Sequence, residues 1–103
     1  MKDFNVICDL VLVTYDIGPS LSPFVAKVVA EIKKDTKIKH QLTPMGSVLE
    51  GNWSDVMNLI NTLFVKFAPD YERLGLTLKV DYRASKKDRI SGKVKSVEDK
   101  LSS

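Results

Sequence analysis

The sequence predicts an α+β sandwich in the order β-α-β-β-α-β, with an added helix at its C-terminal end, on three observations. Residues 4–14 form a long apolar run rich in β-branched side chains, the mark of a buried strand. Residues 38–43 and 76–83 alternate apolar and polar positions, the period of a strand with one covered face. Residues 22–34 and 52–67 instead repeat apolar side chains at helical spacing.

Taken in order, the first strand carries Val6, Ile7, Leu10, Val11, Leu12 and Val13, and Gly18, Pro19 and Ser20 break it. Ser22 is expected to be the N-cap of the first helix, with Pro23 in the first helical position, where its missing N–H is not needed. Phe24, Val25, Val28, Val29 and Ile32 then give one apolar face, and Lys33 and Lys34 in the last turn complement the helix dipole. Ile38, His40 and Leu42 alternate with Lys39, Gln41 and Thr43; after a turn at residues 44–46, a short strand over 47–50 returns as a hairpin partner. Gly51 and Asn52 end it. The second helix begins within residues 52–54, has Asp55 in its first turn, and repeats Val56, Met57, Ile60, Leu63, Phe64 and Phe67 until Pro69 stops it. Leu76, Leu78, Val80 and Tyr82 line one face of a fourth strand, and Ile90, Val94, Val97 and Leu101 make a narrow stripe on the last helix. This order is the split βαβ, ferredoxin-like arrangement, with both main helices on one side of an antiparallel sheet.

Composition bounds the function. A chain of 103 residues with 44% hydrophobic and 28% charged content reads as one globular domain spanning residues 1–103. No apolar run is long enough to cross a membrane, and no signal-peptide pattern opens the chain. Cys8 is the only cysteine and lies in an apolar run, so neither a disulfide framework nor a thiolate metal site is available, and a cytoplasmic location is expected. His40 is the only histidine, which leaves no metal set. The net charge of +3 gathers at the end: residues 83–103 hold seven Lys or Arg against three Asp or Glu. That tail lacks aromatic residues to stack on bases, so a solvated helix face is expected rather than a nucleic-acid interface.

Alternation also says what the uncovered side of the sheet carries. If the even residues of the first strand and Leu49 face the helices, then Asn5, Ile7, Asp9, Val11, Val13, Val48, Glu50, Thr77, Lys79 and Asp81 do not. Such a face mixes aliphatic groups with carboxylates, which suits a subunit interface holding a polar pocket. Glu50 is the sharpest feature, because a carboxylate inside an apolar strand needs a donor or a cation as partner.

Residues 22–28, the block from Gln41 through Pro44-Met45-Gly46 and Glu50-Gly51-Asn52-Trp53 to Met57, then residues 79–83 and 93–97, resemble the thiamine-binding family of small ferredoxin-like proteins, in order along nearly the whole chain. The resemblance implies a non-catalytic cytoplasmic protein that forms homodimers or homotetramers through its sheets and binds thiamine or a related hydroxymethylpyrimidine. No cofactor, nucleic acid or membrane partner is implied. Thiamine joins an aminopyrimidine to a cationic thiazolium, so its site wants a carboxylate with apolar or aromatic walls. Glu50, with Asp9 or Asp81 as alternatives, supplies the first; Met45, Val48 and Trp53 the second; and Ser22, Thr43 and Ser47 neutral hydrogen bonds. On this reading Glu50→Gln weakens thiamine binding by about 1 to 3 kcal/mol. Each residue also has a plainer role: Glu50 pairing with Lys79 or a neighbouring subunit, Trp53 as a packing anchor, Met45 as a gap-filler, Asp9 as an interface group and His40 as a satisfied core histidine. An alternative function is a self-associating module with no ligand. The chain departs from the family pattern at residues 15–18, at His40 and at Ser47, all bordering the expected pocket.

Overall fold

The computed structural model describes residues 3–84 and 89–101, with the Arg89 side chain left aside. The elements are β1 (Asn5–Thr14), α1 (Ser22–Lys33), β2 (Lys39–Thr43), β3 (Gly46–Asn52), α2 (Trp53–Phe67), β4 (Leu74–Tyr82) and α3 (Arg89–Leu101). The sheet runs β2-β3-β1-β4 with every neighbouring pair antiparallel, the expected ferredoxin-like α+β order. Buried Val6, Cys8, Leu10 and Leu12 of β1 and Leu49 of β3 face Phe24, Val28 and Ile32 of α1 and Val56, Leu59, Leu63 and Phe67 of α2. Burial pushes the Cys8 thiol up to about 11, so it sits in this core as an inert hydrophobe. Glu31 of α1 accepts from Lys34 at the end of its own helix and from Lys66 of α2; both cations hold its carboxyl below the usual range, and the Lys66 contact ties the helices together.

Several boundaries differ from the sequence reading. Leu21, not Ser22, is the N-cap of α1, and no side chain caps it; the Leu21 carbonyl already accepts from Val25 N at 2.9 Å, which draws Ser22 into the helix. α2 starts at Trp53 and ends at Phe67, where a 3-10 turn, Ala68–Asp70, carries Pro69 instead of a plain stop. Asp3 does the capping that Asn52 does not: its carboxylate accepts from Ser54 Oγ at 2.5 Å and from Ser54 N at 3.4 Å, and these bonds hold its carboxyl below the usual range. β3 extends to Asn52 and β4 begins at Leu74, because register with β1 carries the pairing past the apolar alternation.

The uncovered side of the sheet brings the larger correction. Lys39, Glu50, Ile7 and Asp81 form one row across β2, β3, β1 and β4 on that side. α3 lies over it: Ile90 N donates to Glu50 Oε1 at 3.3 Å and Lys93 Nζ meets Asp81 Oδ2 at 3.0 Å. Ile7 and Glu50 are buried as a result. The chain's own last helix therefore covers one end of a face that the sequence left open to water, ligand or partner, while Asp9, Val11, Val13 and Val48 stay at least partly exposed.

Candidate functional site

A cavity of about 750 Å³ lies between α1 and the tip of the β2–β3 hairpin. It exists because two stripes run along α1. Phe24, Val28 and Ile32 point into the core, whereas Leu21, Val25, Val29 and Lys33, again four apart, look across the cavity toward the hairpin. Leu42 stays 54% exposed beneath them and Met45 at the hairpin tip 82% exposed. A turn closes the hairpin at Pro44 and Met45, and Thr43 braces it: its hydroxyl accepts from Met45 N at 3.3 Å and donates to the Gly46 carbonyl at 3.0 Å. Gly46 lets the tip press against β1, since a Cβ there would stand 2.8 Å from the Leu10 carbonyl oxygen. Beyond that contact the hairpin ends, and β1 runs on toward Leu12 and Val13 paired with β4 alone.

Four of the eight predicted ligand residues, Ser22, Thr43, Met45 and Ser47, line this cavity. The others lie elsewhere, so one niche does not gather all eight. Glu50 is three residues along β3 from Ser47 and on the opposite side of the sheet, under α3. Asp9 and Val48 face each other in register on that same side, and Asp9 stands opposite Lys79 on β4. Trp53 follows the far end of β3, roughly 20 Å from the cavity at strand rise; its N–H donates to the Phe4 carbonyl at 2.6 Å, a structural anchor for the entry into α2.

Apolar side chains dominate the cavity walls, and Lys33 is the one charged residue among those lining it. Ser47 is buried, and its Oγ lies 3.1 Å from His40 Nε2. Burial, then the nearby Lys33 charge, holds the imidazole below its ordinary value, which favours the neutral ring. Sequence reasoning kept His40 as a satisfied core histidine and missed this pairing, along with Val25, Val29 and Lys33 as lining residues. The signal was present, because the second apolar stripe on α1 exceeds what one core face requires. Among the described residues no group of acids, histidines or cysteines is arranged to hold a metal ion. A shallower apolar depression of about 530 Å³ on α2, lined by Met57, Ile60, Phe64 and Val65, contains none of the predicted residues.

Comparison with known proteins agrees with the resemblance read from the sequence. Residues 8–98 match the family model described as thiamine-binding protein. The UPF0045 protein YqgV of Bacillus subtilis is 34% identical over 83 residues, covering 77% of this chain and 80% of its own. The UPF0045 protein MJ1052 of Methanocaldococcus jannaschii is 27% identical over 93 residues, covering 90% of this chain and 92% of its own. The crystal structure of MJ1052 superposes with a TM-score of 0.83 over 91% of this chain and 96% of that one. A candidate thiamine biosynthesis/salvage protein of Thermotoga maritima shares the fold at TM-score 0.78 and 20% identity, over 90% of this chain and 98% of its own. No described helix is long and apolar enough to cross a membrane.

Proposed function

The chain belongs to the thiamine-binding protein family, and on that premise we propose that it is a non-catalytic small-molecule-binding protein. It takes thiamine or a related hydroxymethylpyrimidine in the cavity beside α1. One observation carries the reading: the concave site whose walls are mainly apolar, with hydroxyls and the Lys33 ammonium as its polar side-chain groups, is also where Ser22, Thr43, Met45 and Ser47 converge. A flat ring between aliphatic walls, oriented by a few hydrogen bonds, is what such a site accommodates. Among the described residues Ser47 and His40 are the nearest approach to a nucleophile and base, yet Ser47 is only 6% exposed, which leaves its hydroxyl little access to a substrate.

Calorimetry with thiamine and with its free pyrimidine alcohol is the direct test. Saturable heat is expected from the intact chain. Val25→Trp, which puts an indole into the cavity from the half-buried outer stripe of α1, should abolish that heat while leaving the folded circular-dichroism spectrum intact. Absence of heat with both compounds overturns the reading.

The same reading holds that two or four copies associate through the part of the sheet α3 leaves uncovered. Partly exposed Val11, Val13 and Val48, interspersed with Asp9 and Lys79, support it, being too apolar a strip to be left to water. Sedimentation equilibrium should return a dimer or tetramer, and a monomer at high micromolar concentration would refute self-association.

A further inference from the structure

β1 pairs with β4 from Val6 through Thr14, but with β3 only as far as Leu10 opposite Ser47. The side to which each β1 residue turns its peptide groups follows from two bonds. Tyr15 N donates to the Arg73 carbonyl beyond β4, so odd residues face β4; Trp53 N donates to the Phe4 carbonyl, so even residues face β3. Leu12 is the first even residue beyond the end of the β3 ladder. Its N–H and C=O point together into the notch where the hairpin stops, and Leu12 lines the cavity. Met45 would stand opposite it in register, but Met45 turns its own N–H onto Thr43 Oγ1. Among the described residues no hydrogen bond takes up either peptide group of Leu12.

A paired donor and acceptor left in an apolar recess is costly unless something satisfies it. We propose that the Leu12 main chain is the recognition element of this cavity, and that it reads the edge of a 4-aminopyrimidine. The Leu12 N–H donates to the ring nitrogen adjacent to the amino carbon, and the Leu12 carbonyl accepts from the exocyclic amine. This rests on the proposed binding reading and goes further, because it assigns the recognising atoms and the ligand edge they select. A ring is favoured over a peptide strand because α1 roofs the notch through Val25 and Val29 and the hairpin tip blocks one end. Only one donor–acceptor pair is on offer, which is one ring edge and not a ladder.

The consequence is discrimination between an amino and an oxo group at the same ring position. In the 4-oxo ring the nitrogen carries a hydrogen and the exocyclic oxygen accepts, so both bonds to Leu12 are reversed into donor-to-donor and acceptor-to-acceptor contacts. The test uses the full chain, labelled with nitrogen-15, titrated with thiamine and separately with oxythiamine, its 4-oxo counterpart. Thiamine should move the Leu12 amide proton downfield and slow its hydrogen exchange at least tenfold, and oxythiamine should bind on the order of 100-fold more weakly. Equal affinity for the two compounds overturns the Leu12 assignment while leaving thiamine binding in place, and so does saturation by thiamine with an unmoved Leu12 amide. Failure of both compounds to bind overturns the assignment together with the reading beneath it.

Discussion

Phe24→Ala is expected to cost about 3 to 5 kcal/mol of folding stability, the range for deleting a fully buried aromatic ring. Phe24 is 1% exposed, and its ring meets Phe67 edge-on at 5.4 Å and Tyr71 edge-on at 5.1 Å. One side chain thus joins α1, the end of α2 and the segment leading into β4, and deleting it removes both its apolar burial and two favourable ring geometries. Small domains have about 5 to 15 kcal/mol in total, so the variant should stand near the edge of folding. The thermal midpoint should drop by roughly 4 to 8 °C per kcal/mol lost. A functional loss should accompany it. Phe24 fixes the inner stripe of α1, and the outer stripe that walls the cavity moves with it, so thiamine affinity should fall although Phe24 is not among the cavity-lining residues. Thermal melts followed by calorimetry below the midpoint check both parts; a loss under 1 kcal/mol would mean that α1 is held mainly by Val28 and Ile32.

The same helix illustrates what the sequence disclosed and what it withheld. Periodicity placed Phe24, Val28 and Ile32 in the core and the even residues of β1 beneath them, because burial on one face is written into spacing. It also included Val25 and Val29 in that face, and here it failed: spacing identifies an apolar stripe but not whether a neighbour comes close enough to cover it. The notch at Leu12 was legible only as a mismatch of lengths, a long first strand beside a short hairpin strand, which neither apolar pattern nor motif reports. Glu50 was correctly recognised as a buried carboxylate in need of a donor. One such donor is a backbone N–H forty residues further along the chain, on an element whose own amphipathic stripe said nothing about which face of the sheet it meets. Helix-to-sheet docking of this kind depends on loop geometry and three-dimensional register, which no local pattern encodes.

That docking gives Glu50→Ala a distinct expected result: α3 leaves the sheet while the cavity keeps its ligand. α3 is a short helix of 13 residues, marginal in isolation, and its apolar stripe is poorly used, with Val94 48%, Val97 58% and Leu101 80% exposed. In its first turns it meets the sheet where Ile90 N donates to Glu50 and Lys93 pairs with Asp81. The second contact joins two half-exposed groups and contributes little. The first is a hydrogen bond to a buried carboxylate, and removing the acceptor leaves the Ile90 N–H without its partner beside the space the side chain occupied; a loss of about 1.5 to 3 kcal/mol follows. Hydrogen exchange should therefore accelerate throughout residues 90–101 while the amides of β1 and β3 remain protected. Thiamine affinity should change by less than about twofold, the site being on the other side of the sheet. Glu50→Gln, which retains an acceptor oxygen, should restore most of the protection. Were either substitution to weaken thiamine by the 1 to 3 kcal/mol that the sequence alone suggested, the ligand would have to lie against the Glu50 side of β3, and the cavity beside α1 would lose its claim as the binding site.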